Sequence, residues 1–240
     1  MSTRIKAVLF DLDDTLFDHR YSSHSGLAVI QQSYQCFQQQ ELRELERAHL
    51  RLLNDLHLQV LKGDLSLEEA RIERFRQLFS LCGQNVPTKI VEDAAARYRE
   101  VHQTTRRPVP GVIPLLRNLR SRVKVAVVTN NLVAEQRDKL QYCGLDTLID
   151  ALVVSEEVGV AKPEPAIFEA ALSRTGCRAG EAVMIGDSWS VDVLGALGVG
   201  MSAIWLNRYS LSCPDPLLAA EINAFEPLDT VLELLFDGTE

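Results

Sequence analysis

The chain has 240 residues, 46% of them hydrophobic, and a formal net charge of −8. That length can bury a full core and leaves room for one domain plus a smaller inserted one. The acidity argues against a nucleic-acid polymer as partner, and the absence of an apolar run of about 18 residues argues against a membrane span.

The stretch from Ala7 to Phe10 is almost continuously apolar, as in a parallel strand buried on both faces. Ile5 to Phe10 runs straight into Asp11, without the positive-then-apolar pattern of a signal peptide. The five cysteines (Cys36, Cys82, Cys143, Cys177 and Cys213) are scattered and form no C-x-x-C. They read as reduced thiols, so a cytoplasmic location is expected. In open α/β sheets the ligand lies outside the carboxyl ends of the strands, where Asp11 falls. Strand alternation turns Asp11 and Asp13 to one side, with Leu12 opposed. Two carboxylates held close repel each other unless a cation neutralises one or a proton stays on the other. Such a pair can supply a nucleophile beside a general acid, although Asp-Leu-Asp-Asp-Thr taken alone also suits a helix cap or turn.

From about Ser22 to Thr104 the periodicity is helical. Glu41 to Lys62 carries Leu42, Leu45, Leu52, Leu53 and Leu56 as an amphipathic stripe. Gly63-Asp64 ends it, and Ser66 with Glu69 has the spacing of a capping box. Gly83 and Pro87 mark a further turn, and the glutamine-rich stretch Gln31 to Gln40 is expected to be helical. Residues 18 to 107 hold 13 Lys/Arg against 12 Asp/Glu, whereas the remainder holds 12 against 21. His19, His24, Arg71 and Arg74 are candidates for substrate contact, although Arg71 and Arg74 could equally share a face with Glu68 in an ion-pair ladder. Arg97/Arg99 and Arg106/Arg107 read as a solvated helix end and a hinge. All histidines lie at or before His102 without metal-ligand spacing, which argues against zinc.

Arg107-Pro108-Val109-Pro110-Gly111 is stiff punctuation. Beyond it, strands near Val123–Val128, Leu152–Val154, Ala182–Ile185 and Ala203–Leu206 alternate with helices, the pattern of a parallel sheet covered on both faces. The expected fold is α/β: a Rossmann-like parallel-sheet core (1–17 and 108–240) with an inserted all-helical cap domain (18–107).

Three later segments join Asp11 and Asp13: Val127-Val128-Thr129-Asn130, Ala161-Lys162-Pro163, and Ile185-Gly186-Asp187-Ser188 followed by Asp192. Each is weak alone, but all four in this order point to magnesium-dependent phosphate transfer. A carboxylate attacking a phosphate dianion needs intervening positive charge, which a hard oxygen-ligated ion and a lysine supply.

On these segments the chain resembles the haloacid dehalogenase superfamily of phosphohydrolases, in the branch with a helical cap after the first motif. The resemblance implies Asp11 as the nucleophile forming an aspartyl-phosphate, and Asp13 as general acid and then base. It implies Thr129 and Asn130 at the phosphoryl oxygens, and Lys162 neutralising charge around them. Asp187 would join Asp11 and the backbone carbonyl of Asp13 around Mg²⁺, with Asp192 supporting from the second shell. Val154 to Pro163 and Ile204-Trp205-Leu206-Asn207 look like the pyrimidine/nucleotide 5′-nucleotidase group, and Gly63 to Ser66 with Arg74-Phe75 is similar to a stretch in its members.

The expected activity is hydrolysis of a small phosphorylated metabolite, a nucleoside 5′-monophosphate first. N-acylneuraminate 9-phosphate and sugar or glycolate phosphates are alternative substrates. Asp13, Asp187 and Asp192 weigh against a 2-haloacid dehalogenase, and the intact Asp11, Asp13 and Lys162 weigh against a non-catalytic phosphate-binding protein. A phosphomutase remains compatible with the core segments. A monomer or a homodimer is expected.

Overall fold

The computed structural model describes residues 4–236, which fall into two compact units, 4–18 with 107–236, and His19–Arg106.

The discontinuous unit begins with β1 (Ala7–Phe10) and resumes, after the five helices of the other unit, with α6 (Val112–Leu119). There follow β2 (Lys124–Thr129), α7 (Val133–Tyr142), β3 (Ala151–Val154), α8 (Ser155–Val158) and α9 (Pro165–Thr175). The chain ends through β4 (Ala182–Gly186), a π-helical turn (Trp189–Val193) leading into α10 (Leu194–Gly198), β5 (Ser202–Leu206), β6 (Ala220–Ile222) and α11 (Leu228–Phe236). All six strands are parallel, in the order β3-β2-β1-β4-β5-β6.

β1 shows why the run reads as apolar throughout. Val8 and Phe10 enter one hydrophobic cluster with Val125, Val127 and Ile185, while Ala7 and Leu9 enter another with Val128, Phe168 and Met184. Both faces are covered, so neither phase of the alternation can be polar. The registers pair Phe10 with Val127 and with Ile185, and Thr129 with Val154. The strand ends carrying Asp11, Thr129 and Asp187 therefore lie along one edge of the sheet.

Two expectations change here. β1 stops at Phe10, so strand alternation does not reach Asp13, which lies in a loop whose next residue, Asp14, has φ of 63°. β6 was not expected. It is only Ala-Glu-Ile at the sheet edge, with two of its three residues exposed, too short for any periodicity to show.

The other unit is all helix: α1 (His19–Ser33), α2 (Gln35–Gln38), α3 (Leu42–Lys62), α4 (Leu67–Leu81) and α5 (Thr88–Thr104). Leu27, Phe37, Leu45, Phe75, Phe79, Val91 and Tyr98 form its core. Gly63 caps α3 at φ of 79°, the left-handed position where glycine carries no Cβ penalty. The Ser66 capping box is present, with Ser66 N donating to Glu69 Oε2 and Glu69 N to Ser66 Oγ. The stretch Gln31 to Gln40 is not one helix, because Tyr34 is extended between α1 and α2 and its hydroxyl donates to Asp93 (2.7 Å). Arg97 is exposed and pairs with Asp93, as a solvated helix end should, while Arg99 is half-buried and pairs with Glu68. Arg106, expected at a solvated hinge, is instead buried, while Arg107 pairs with Asp18.

Candidate active site

Lys162 is the hub of the sheet edge. Its Nζ donates to Asp11 Oδ1 at 2.6 Å and to Asp192 Oδ1 at 2.7 Å, with all three groups buried. Asp192 reaches this point from the π-helical turn and also accepts from Ser188 N. A glycine is required beside it, since a Cβ on Gly186 would collide with the Asp192 carboxylate. Asp187 is fixed through its main chain: its N–H donates to Thr15 Oγ1 and its carbonyl accepts from the indole of Trp205. Trp205 is thereby a buried strut of this edge.

Asp11, Asp187 and Asp192 each offer an oxygen within 4.8 Å of the others. Burial pushes the Asp11 carboxyl up from its ordinary range, and the neighbouring Asp192 and Asp13 add to this against the pull of Lys162. Asp187 is likewise raised by burial and then by the negative charge of Asp11, Asp192 and Asp14. Burial alone would lower Lys162, but the two carboxylates outweigh it and hold the ammonium charged. Three carboxylates against one ammonium leave negative charge uncompensated, and the all-oxygen donor set suits a hard divalent cation.

Thr129 ends β2, buried, and accepts a hydrogen bond at Oγ1 from Gln136 Nε2 (2.6 Å). Asn130, expected at the phosphoryl group, has its side chain engaged elsewhere. Its amide donates to the Lys162 carbonyl (2.9 Å) and its Oδ1 accepts from the Lys162 N–H (2.7 Å). Asp13 is gripped by a residue that the sequence reading did not single out: Lys139 Nζ donates to both carboxylate oxygens, at 2.6 and 2.8 Å. Gln136 Nε2 adds a third bond at 3.1 Å. The available signal was a Gln and a Lys three residues apart on one face of the helix that follows Thr129.

The other candidates lie in the helical unit. Arg71 pairs with Glu68 at 3.2 Å, as the ladder predicts. Arg74 does not join it. Arg74 is 8% exposed, lies 5.7 Å over the Tyr98 ring, and has no hydrogen-bond partner for Nε among the described residues. His24 pairs with Glu46 (2.5 Å), and His19 packs edge-on against His102.

The model of the haloacid dehalogenase-like hydrolases matches residues 5–200. The chain belongs to this family. It is a hydrolase with the family's α/β core. The chain is 30% identical over 210 residues to the pyrimidine 5′-nucleotidase YjjG of Escherichia coli, covering 87% of this chain and 88% of that one. It is 32% identical over 206 residues to a glyceraldehyde 3-phosphate phosphatase of Methanothermobacter thermautotrophicus, covering 85% and 86%. Among solved structures, the HAD hydrolase YfnB of Bacillus subtilis, determined bound to magnesium, superposes with a TM-score of 0.74 at 23% identity, covering 96% of this chain and 100% of that one.

Proposed function

We propose that this chain is a cytoplasmic Mg²⁺-dependent phosphatase of small phosphorylated metabolites, a nucleoside 5′-monophosphate first among them, acting through an aspartyl-phosphate on Asp11. The observation that carries this reading is the buried Asp11–Lys162–Asp192 chain with Asp187 beside it. The two curated relatives, one acting on a nucleotide and one on a triose phosphate, support the reaction class more than the choice of substrate.

An oxygen of Asp11 attacks phosphorus while the bond to the leaving oxygen breaks, and Asp13 delivers a proton to that oxygen. Asp13, now ionised, takes a proton from water as the water attacks phosphorus, and the bond to Asp11 breaks to release phosphate. Lys162 holds one Asp11 oxygen and offsets charge on the phosphoryl group, and the Thr129 hydroxyl donates to an equatorial oxygen. Asn130, beside Thr129, keeps Lys162 in place. When bound, Mg²⁺ would be held by Asp11, Asp187 and the Asp13 carbonyl with Asp192 in support, and would neutralise charge between nucleophile and phosphate. The unit His19–Arg106 acts as a cap that excludes water and selects the substrate, with Arg74 contacting a group remote from the phosphate.

Phosphate release from an aryl phosphate, with Mg²⁺ and with a chelator, tests the chemistry. A screen of nucleoside monophosphates, glyceraldehyde 3-phosphate, N-acylneuraminate 9-phosphate, hexose phosphates and phosphoglycolate then tests the substrate. Turnover undiminished after thorough chelation would remove the metal from the mechanism.

A further inference from the structure

A general acid in a loop needs something to aim it, because the terminal torsion of an aspartate is broad and the carboxyl group turns easily. Asp13 has no strand to hold it. It has Lys139 and Gln136 instead. Both sit on one face of α7, the helix that follows Thr129, and both are buried. The Lys139 ammonium bridges both Asp13 oxygens and lies 5.3 Å from the centre of the Phe17 ring. Gln136 Nε2 is shared between Asp13 Oδ2 and Thr129 Oγ1.

We propose that Lys139 and Gln136 are positioning residues that hold the acid–base group Asp13 and the phosphate-binding hydroxyl of Thr129 in fixed register with each other. This rests on the roles given to Asp13 and Thr129 above. Two bonds from one ammonium and a third from an amide fix the plane of the ionised Asp13 carboxylate. When Asp13 carries the proton it gives to the leaving group, the ammonium and the amide still hold Oδ2 while Oδ1 bears the proton. The same amide donates into a lone pair of the Thr129 hydroxyl, so the hydroxyl's own hydrogen remains to be donated. Only a hydroxyl used in this sense can bond a phosphoryl oxygen, which has no hydrogen to give. Stability alone is a poor reason for a lysine here, since a buried ion pair is often matched by apolar residues of similar volume. Group placement to within about 1 Å, by contrast, can be worth on the order of a hundredfold in rate.

The test compares kcat/KM of the full chain with Mg²⁺ on two phosphate monoesters. One is an alkyl phosphate, whose leaving oxygen needs a proton. The other is 2,4-dinitrophenyl phosphate, whose leaving group needs none. Lys139→Met should lower kcat/KM for the alkyl ester at least about tenfold more than for the dinitrophenyl ester, in the same sense as Asp13→Asn. Lys139→Arg, which restores a cation, should recover part of the difference. Gln136→Met should show the same selectivity and also raise KM for both esters, because Thr129 loses its orientation. If Asp13→Asn discriminates between the esters while Lys139→Met and Gln136→Met lower both equally or neither, the positioning role is wrong. If Asp13→Asn itself fails to discriminate, the acid–base assignment of Asp13 falls, and the role of Lys139 falls with it. Should Lys139→Met fail to fold, the ratio for Gln136→Met decides between the same outcomes.

Discussion

Asn130 grips Lys162 by the main chain from both sides, donating to its carbonyl and accepting from its N–H. A flexible four-carbon side chain carries a well-placed charge only when its root is fixed, and this pairing ties the Lys162 loop to the end of β2. Asn130→Ala removes both bonds and should lower kcat/KM by roughly tenfold or more, with a loss of stability of about 1–3 kcal/mol from the unpaired main-chain groups. Asn130→Asp keeps an acceptor for the N–H but leaves the carbonyl without its donor, and should fall between Asn130→Ala and the parent. Steady-state kinetics and thermal unfolding of the two variants check this order.

Gly186 lacks a side chain where the Asp192 carboxylate rests. Gly186→Ala should therefore displace Asp192 from Lys162 and loosen the acidic cluster. The expected result is a kcat/KM reduced on the order of a hundredfold and weaker Mg²⁺ binding by calorimetry, while circular dichroism stays that of a folded α/β protein. Unchanged metal affinity with full activity would show that Asp192 does not support the site.

Strands β1 to β5 and the order of the four motif segments were legible in the sequence because they follow from burial, whereas the short edge strand β6 was not. β1 and β2 are apolar on both faces, and the polar residues directly beyond Phe10 and Val128, namely Asp11 and Thr129-Asn130, are conspicuous. The grip of Lys139 on Asp13 was not legible in the same way. It joins residues 126 apart in sequence, through a side chain on a helix whose composition is ordinary and polar. Asn130 shows a related limit. Its place beside Thr129 suggested a phosphate contact, whereas its side chain is committed to a partner 32 residues away. In the helical unit, the spacing of Arg71 and Arg74 made them alike, and only packing separates them: Arg71 meets Glu68, and Arg74 is buried against Tyr98.

His49 is 1% exposed, and its Nε2 has no hydrogen-bond partner among the described residues. Burial, then the positive charge of Arg74, His19 and His102, holds its imidazole well below the ordinary value of 6.5. The unfolded chain thus binds a proton near pH 6.5 that the folded chain does not. Stability from the neutral ring is fully present above that pH and declines as the pH falls below it, by up to about 1.4 kcal/mol per pH unit. His49→Phe retains a ring against Phe75 and Tyr98 and cannot titrate. The stability difference between parent and variant, followed by thermal unfolding from pH 7.5 to 5, should shift in the variant's favour on acidification. A constant difference would contradict the linkage.

Arg74 is a buried cation without an ion-pair partner among the described residues, an arrangement that costs stability. Arg74→Met should leave the melting temperature unchanged or raise it. If the guanidinium binds a group of the substrate, the variant should lose about ten- to a hundredfold in kcat/KM with the preferred natural substrate, corresponding to about 1.5–3 kcal/mol for a charge-assisted hydrogen bond. An aryl phosphate too small to reach it should lose little. An unchanged ratio between the two substrates would assign Arg74 to packing alone.

The central claim is that Asp11 carries the phosphoryl group during turnover. Rapid quenching with a substrate labelled in its phosphate, followed by peptide mapping, tests it directly. With labelled 2,4-dinitrophenyl phosphate, whose leaving group needs no proton, label should appear on the peptide containing Asp11 in the parent, accumulate there in Asp13→Asn because water is no longer activated, and be absent in Asp11→Asn. Turnover in Asp11→Asn at the parent rate, or label mapping to any other residue, would contradict the account.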